Sequence, residues 1–167
     1  MSTLLELAER IEQSPIGSAI AESRYAFPVI EGVHLIGLSI SVGLIFLTDL
    51  RLMGLLFRHV PVTDVIHQLR AYVLAGFALV FVSGGLLFWS EASMLVESPA
   101  FPFKLLFMAL AGANALYFEL VLAKQNAVQE NRPILPRNVK YAGAASLALW
   151  TLVIICGRLI PYLPHWT

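Results

Sequence analysis

Two ionisable side chains, Glu31 and His34, lie three residues apart in a stretch from Tyr25 to Thr48 that is otherwise free of charged residues. Residues at this spacing share one face of an α-helix, so the carboxyl group and the imidazole are neighbours. A histidine of this kind can accept a proton or ligate haem iron. Because a charged group in the centre of a membrane helix costs about 2.5–3.5 kcal/mol, such residues are candidates for function.

The composition of the chain is that of an integral membrane protein. The 167 residues are 58% hydrophobic and 13% charged, whereas soluble domains carry about 25% charged residues. The formal net charge of zero gives no sign of a nucleic-acid partner. Cys156 is the single cysteine, so no disulfide framework or zinc-finger spacing exists. No nucleotide-binding loop, serine-hydrolase elbow or zinc-protease motif is present, which argues against an autonomous enzyme.

Four apolar stretches have the length that a hydrocarbon core of about 30 Å requires. They predict helices at about 27–50, 71–90, 102–123 and 141–163. The fold is therefore predicted to be all-α, with residues 26–167 forming a polytopic four-helix transmembrane bundle. Residues 1–25 instead predict two short amphipathic helices, the second capped by Ser14 and opened by Pro15. These helices are too short to cross a bilayer and are expected on its surface or against the bundle.

The topology follows from the four crossings. Both termini and the second connection lie on one side, called side A, and the first and third connections lie on side B. Side B carries seven Lys and Arg residues and side A carries four. The positive-inside rule therefore predicts a cytoplasmic side B and periplasmic termini in a bacterial inner membrane. The seven are Arg51, Arg58, Arg70, Lys124, Arg132, Arg137 and Lys140, and the four are Arg10, Arg24, Lys104 and Arg158.

A first polar cluster is predicted near side A. The helix directions bring Lys104 and Arg158 to a depth similar to that of Glu31 and His34. Such a group suits an anion site, a proton-accepting histidine or a pocket for a quinone-type carbonyl. A purely structural network of ion pairs explains the same residues.

A second polar cluster is predicted near side B. Asp49 and Arg51 end the first long helix, Arg70 opens the second, and Glu119 lies about one turn inside the end of the third. Opposite charges at matched depth favour structural ion pairs between helices. Small residues spaced four apart, such as Gly37 and Ser41, predict close contacts between helix backbones.

Histidine in a four-helix membrane bundle raises the question of haem b or a metal. Two histidines on facing helices would supply both axial ligands of a haem. His59 and His67 lie near side B, roughly 20 Å from His34 by helix rise. A bis-histidine haem would need His34 with His165, or two copies of His34, and a single axial histidine remains open. Copper held by His34, His165, Glu31 and Met94 is the alternative metal site.

The run from Phe27 to Gly54 carries a resemblance to a family. An aromatic-proline pair, Phe27-Pro28, precedes Glu31 and His34, and Asp49-Leu50-Arg51 ends the helix. This pattern resembles the first helix of a bacterial family catalogued as a domain of unknown function. The resemblance implies a four-helix membrane protein and brings no established activity.

Three functions are consistent with these patterns. The first is a redox component that holds haem b or another cofactor near the periplasmic face, with His34 as ligand or proton acceptor and Glu31 and Arg158 orienting it. The second is a transporter of protons, ions or metals. The third is a structural or assembly subunit. The expected partners are the lipid bilayer and either further copies of the chain or a larger membrane complex.

Overall fold

Helices make up nearly all of the part of the chain that the structure describes. A computed structural model describes residues 2–125, 128 and 134–163, and within this part of the chain no strand occurs. A π-helical turn, Phe118–Leu122, continues the sixth helix, and a 3-10 turn, Ile160–Tyr162, continues the seventh. The all-α prediction is confirmed. The helices are α1 (Ser2–Glu12), α2 (Pro15–Ala21), α3 (Ala26–Leu52), α4 (Val62–Ser90), α5 (Ala92–Glu97), α6 (Ala100–Tyr117) and α7 (Arg137–Leu159).

Four of these helices are long and apolar enough to cross a membrane, namely α3, α4, α6 with its π-turn, and α7 with its 3-10 turn. Only 11–17% of the most apolar window of each span is buried inside the chain. The apolar surface that stays exposed would be unfavourable in water and suits a helix surrounded by lipid. The predicted four-helix membrane protein is therefore confirmed at the level of helix length and composition.

The helix ends differ from the hydropathy estimate at two positions. Helix α4 begins at Val62 rather than near residue 71, and α7 begins at Arg137 rather than near residue 141. The extra turns contain polar residues such as Asp64 and Arg70. Hydropathy locates the part of a helix that crosses lipid, whereas hydrogen bonding continues the helix into the polar layer. The short helix α5 was not predicted, since its six residues carry no periodic signal.

The bundle consists of two helix pairs. Helix α3 packs along α4, α6 packs along α7, and a contact between α3 and α7 joins the pairs. A close approach lies between α3 and α4, where Gly37 and Ser41 are buried. A Cβ atom on Gly76 of α4 would lie 3.0 Å from the Cβ and backbone nitrogen of Ser41. Gly37 and Ser41 thus form the close backbone contact that their spacing predicts.

The N-terminal helices pack against the side A end of the bundle. Ser14 caps α2 by accepting a hydrogen bond from the backbone nitrogen of Gly17 at 3.3 Å. The indole Nε1 of Trp89 donates to Ser14 Oγ at 2.8 Å, which ties the cap to the end of α4. The Glu12 carboxylate accepts from the backbone nitrogen of Ser93 in α5 at 3.0 Å. These bonds fix α1 and α2 to the bundle.

Polar and apolar contacts hold the second half of the bundle. Asn114 Nδ2 of α6 donates to the Ala142 carbonyl of α7 at 3.0 Å, an interhelical bond of the kind that associates membrane helices. Near side B, buried apolar side chains form a core that includes Leu52, Val62, Leu122 and Val139. The apolar core near side B joins residues of all four membrane-length helices.

Gly76→Ala tests the close contact between α3 and α4. The added methyl group would meet Ser41 backbone and Cβ atoms that cannot move independently of the helix. Overpacking of this kind costs about 1–3 kcal/mol, so thermal unfolding of the detergent-solubilised protein should occur at a lower temperature. Gly43→Ala is the matched control, since a Cβ there would meet nothing within 4 Å. Equal unfolding temperatures for the two variants would contradict the contact.

Candidate functional site

The His34 ring lies in the interface between α3 and α4. Its Nδ1 atom is 3.0 Å from Ser83 Oγ. The small residue Gly84 lies directly beside the ring, because a Cβ atom there would come within 3.1 Å of His34 Cε1. Helix α4 therefore supplies both a hydrogen-bond partner for the imidazole and the space beside it.

The hydrogen bonds of Ser83 determine which nitrogen of His34 carries the proton. A serine hydroxyl has a single proton, and Ser83 Oγ donates it to the Leu79 carbonyl at 2.6 Å. With its proton directed to that carbonyl, Oγ presents its lone pairs to His34 Nδ1 as a hydrogen-bond acceptor. A neutral ring with its proton on Nδ1 carries a free lone pair on Nε2. That lone pair can accept a proton or ligate a metal ion.

Glu31 and Lys104 share the surroundings of His34. Both lie close enough to act electrostatically on the imidazole. Glu31 is exposed on α3, whereas Lys104 of α6 is partly buried against α7. A Cβ atom on Gly157 of α7 would lie 3.6 Å from Lys104 Nζ. Glu31 and Lys104, two of the residues predicted near side A, thus lie within electrostatic range of the His34 imidazole.

Arg158 does not join these three residues. It is exposed near the end of α7, and its guanidinium carbon lies 5.1 Å from the centroid of the Tyr162 ring. Stacking on an aromatic face is a common arrangement for an exposed arginine. The expected similarity in depth between Arg158 and His34 is not accompanied by a contact between their side chains.

A pocket of about 520 Å³ opens on side A between α2, α3 and α4. Glu12, Arg24, Glu91 and Met94 are among its lining residues. Burial, followed by the neighbouring carboxylates of Glu31 and Glu12, raises the pKa of Glu91. The acidic surface next to the His34 region therefore favours retention of a proton on Glu91.

Of the four residues predicted to pair near side B, Arg70 and Glu119 form an ion pair. Arg70 Nη2 of α4 lies 2.9 Å from Glu119 Oε1, which joins α4 to the π-helical turn. Both side chains are about half exposed. Ion pairs with this exposure are worth about 0–1 kcal/mol in water. The pair serves to align helices rather than to form a site.

Asp49 and Arg51 end α3 without pairing with each other. Asp49 is 5% exposed and has Ser146 of α7 as a hydrogen-bond partner, while its Oδ2 atom has none. Arg51 Nε donates to the Val60 carbonyl at 2.8 Å. Residues two apart point about 200° apart around a helix, so the separation follows from the sequence spacing. Among the described residues, neither joins the ion pairing between helices that was expected of it, and each contacts a different element instead.

A metal site built from several side chains finds no support among residues 2–125, 128 and 134–163. No group of three His, Cys, Asp or Glu side chains comes together there in a way that could hold a metal ion. His165, the second predicted ligand, lies outside the described residues. Ser83 and Gly84 are the neighbours of His34 that sequence reasoning missed. Their only signal was the presence of small residues in α4.

Glu91→Gln tests the acidic surface on side A. A carboxyl group whose pKa is raised on folding stabilises the protein below its ordinary value of 4.5 and loses this contribution as the pH rises through the folded pKa. Removing the charge should therefore raise the unfolding temperature of the detergent-solubilised protein at neutral pH. The gain should disappear as the pH falls below 4.5.

Glu6→Gln, on the exposed surface of α1, serves as the control for this effect. An equal gain from Glu6→Gln, or a gain from Glu91→Gln that persists in acid, would show that burial beside Glu31 and Glu12 is not the cause.

Comparison with known proteins identifies a family. Searches of curated proteins and of solved structures found no match. A model of a family of unknown function, DUF6644, matches residues 6–163, which is nearly the whole chain. The resemblance inferred from the first long helix is confirmed at the level of a family without an assigned activity. The chain belongs to the DUF6644 family of unknown function.

Proposed function

We propose that this chain is a membrane redox component in which His34 Nε2 is an axial ligand of haem b. The observation that carries the proposal is the hydrogen bond of His34 Nδ1 to Ser83 Oγ, whose own proton is committed to the Leu79 carbonyl. Histidines that bind metals usually donate their other ring N–H to an oxygen atom. Such a bond fixes the ring orientation and makes Nε2 a better ligand.

The surroundings of the ring favour haem over copper. A haem needs one or two axial side chains from the protein, whereas a copper site draws on several. The other histidines of the described residues, His59 and His67, precede or begin α4 at side B. Among the described residues, the ligand set is therefore a single His34, or two His34 side chains from two copies of the chain, and His165 lies outside these residues. Bound haem would supply one-electron transfer.

Glu31 and Lys104 would act on the charge of this site. The exposed Glu31 carboxylate lies on the same face of α3 as His34, and Lys104 approaches from α6. Opposite charges near a redox centre tune its potential. Their location near side A corresponds to the periplasmic face of a bacterial inner membrane if the excess of Lys and Arg on side B marks the cytoplasm.

An absorbance spectrum of the detergent-purified full chain, expressed with ample haem, tests this function. The oxidised protein should show a Soret band, and reduction with dithionite should give sharp α and β bands. His34→Ala should abolish these bands. Ser83→Ala should weaken haem binding by about 10–100-fold, because it removes the hydrogen bond that orients the ligand.

His67→Ala is the matched control, since this exposed histidine of α4 lies near side B. Its spectrum should equal that of the unaltered protein. A featureless visible spectrum from haem-replete protein would overturn the proposal, as would a His34→Ala variant that retains the bands. Persistent co-purification of such a haem-free chain with a larger complex would favour an assembly subunit instead.

A further inference from the structure

A second pocket, of about 260 Å³, lies at side B, far from the His34 region. It is formed by the end of α3, the loop that follows it and the beginning of α7. Three cationic side chains, Arg51, Arg58 and Lys140, line it, and no Asp or Glu is among the lining residues in the described part of the chain. A concave surface with three positive charges and no carboxylate is suited to an anion.

Arg51 carries a charge that an anion in this pocket would balance. Its residue surface is 3% exposed, and its Nε atom donates to the Val60 carbonyl. Within residues 2–125, 128 and 134–163, the ion pair formed by an arginine is that of Arg70 with Glu119, so Arg51 has no carboxylate partner there. Burying a cation is costly unless an opposite charge accompanies it. A ligand in the pocket would supply that charge.

The loop after α3 holds the second arginine at the pocket. Gly54 and Phe57 adopt positive φ values of 75° and 50°, a conformation that glycine accepts and phenylalanine rarely adopts. The resulting turn places the Gly54 carbonyl as acceptor for Arg58 Nε. The guanidinium is thereby anchored through one nitrogen, and its terminal N–H groups remain suited to bidentate contact with phosphate oxygens.

The rim of the pocket is apolar and exposed. Leu55 is 58% exposed and Ile134 is 78% exposed, and both line the pocket. Free phosphate would gain nothing from these side chains. A phospholipid would place its phosphate among the cations and its acyl chains against the apolar rim. The combination of a cationic pocket and an apolar rim therefore fits a phospholipid better than a small inorganic anion.

We infer that the pocket formed by Arg51, Arg58 and Lys140 binds the phosphate of an anionic phospholipid headgroup. The lipid supplies the negative charge that Arg51 lacks and joins the end of α3 to the start of α7. Basic pockets between membrane helices are known to select anionic headgroups. This binding site is independent of the redox function proposed for His34.

Native mass spectrometry of the full chain tests this site after reconstitution into vesicles of equal parts phosphatidylcholine and phosphatidylglycerol and re-extraction in detergent. The protein should retain phosphatidylglycerol in preference to phosphatidylcholine. Arg58→Gln and Lys140→Gln should each lower the retained phosphatidylglycerol by roughly fivefold, as expected for one lost charge contact. Thermal unfolding of each variant verifies that it is folded.

Arg137→Gln is the control, because this exposed residue also begins α7 but does not line the pocket. It should leave lipid retention unchanged. Equal loss in Arg137→Gln would show general surface attraction and overturn the site, as would equal retention of the two lipids. If added inorganic phosphate displaces phosphatidylglycerol and is itself retained, the phosphate chemistry stands and the lipid assignment is overturned.

Discussion

The close contact between α3 and α4 determines most of what this bundle can do. In lipid, apolar side chains gain little by leaving one apolar environment for another, so helices associate through backbone proximity and buried hydrogen bonds. The absence of side chains on Gly37 and Gly76 and the small side chain of Ser41 permit this approach. The same approach brings Ser83 and Gly84 against His34. A wider separation of the two helices would leave the imidazole without its fixed hydrogen bond.

Polar groups elsewhere in the bundle also need hydrogen-bond or ionic partners, and some of them lack a complete set. Asn114 is satisfied by a backbone carbonyl of α7, and Arg70 is satisfied by Glu119. Two groups at the end of α3 are not fully satisfied in this way. Asp49 retains an oxygen without a hydrogen-bond partner, and Arg51 has no carboxylate partner among the described residues. Functional chemistry in membrane proteins tends to use such groups, and the Arg51 pocket is consistent with that tendency.

Hydropathy was sufficient to locate the four membrane-length helices, because lipid demands long apolar segments. It could not place their ends, since α4 and α7 extend through polar residues that hydropathy counts as loop. Depth along antiparallel helices correctly brought Arg70 to Glu119. Depth alone gives no rotation about the helix axis, which explains why Arg158 faces Tyr162 and why Ser83 was not recognised as the partner of His34. These relations depend on how neighbouring helices turn toward one another.

The protonation of the His34 ring is the most direct test of the proposed site. Nitrogen-15 NMR of histidine-labelled protein in detergent, at a pH where the ring is neutral, distinguishes a protonated ring nitrogen from an unprotonated one. His34→Gln identifies the relevant signals. The expected result is a proton on Nδ1 and a free lone pair on Nε2, with this preference lost in Ser83→Ala. A proton on Nε2 in the unaltered protein would contradict the assignment of that atom as ligand or proton acceptor.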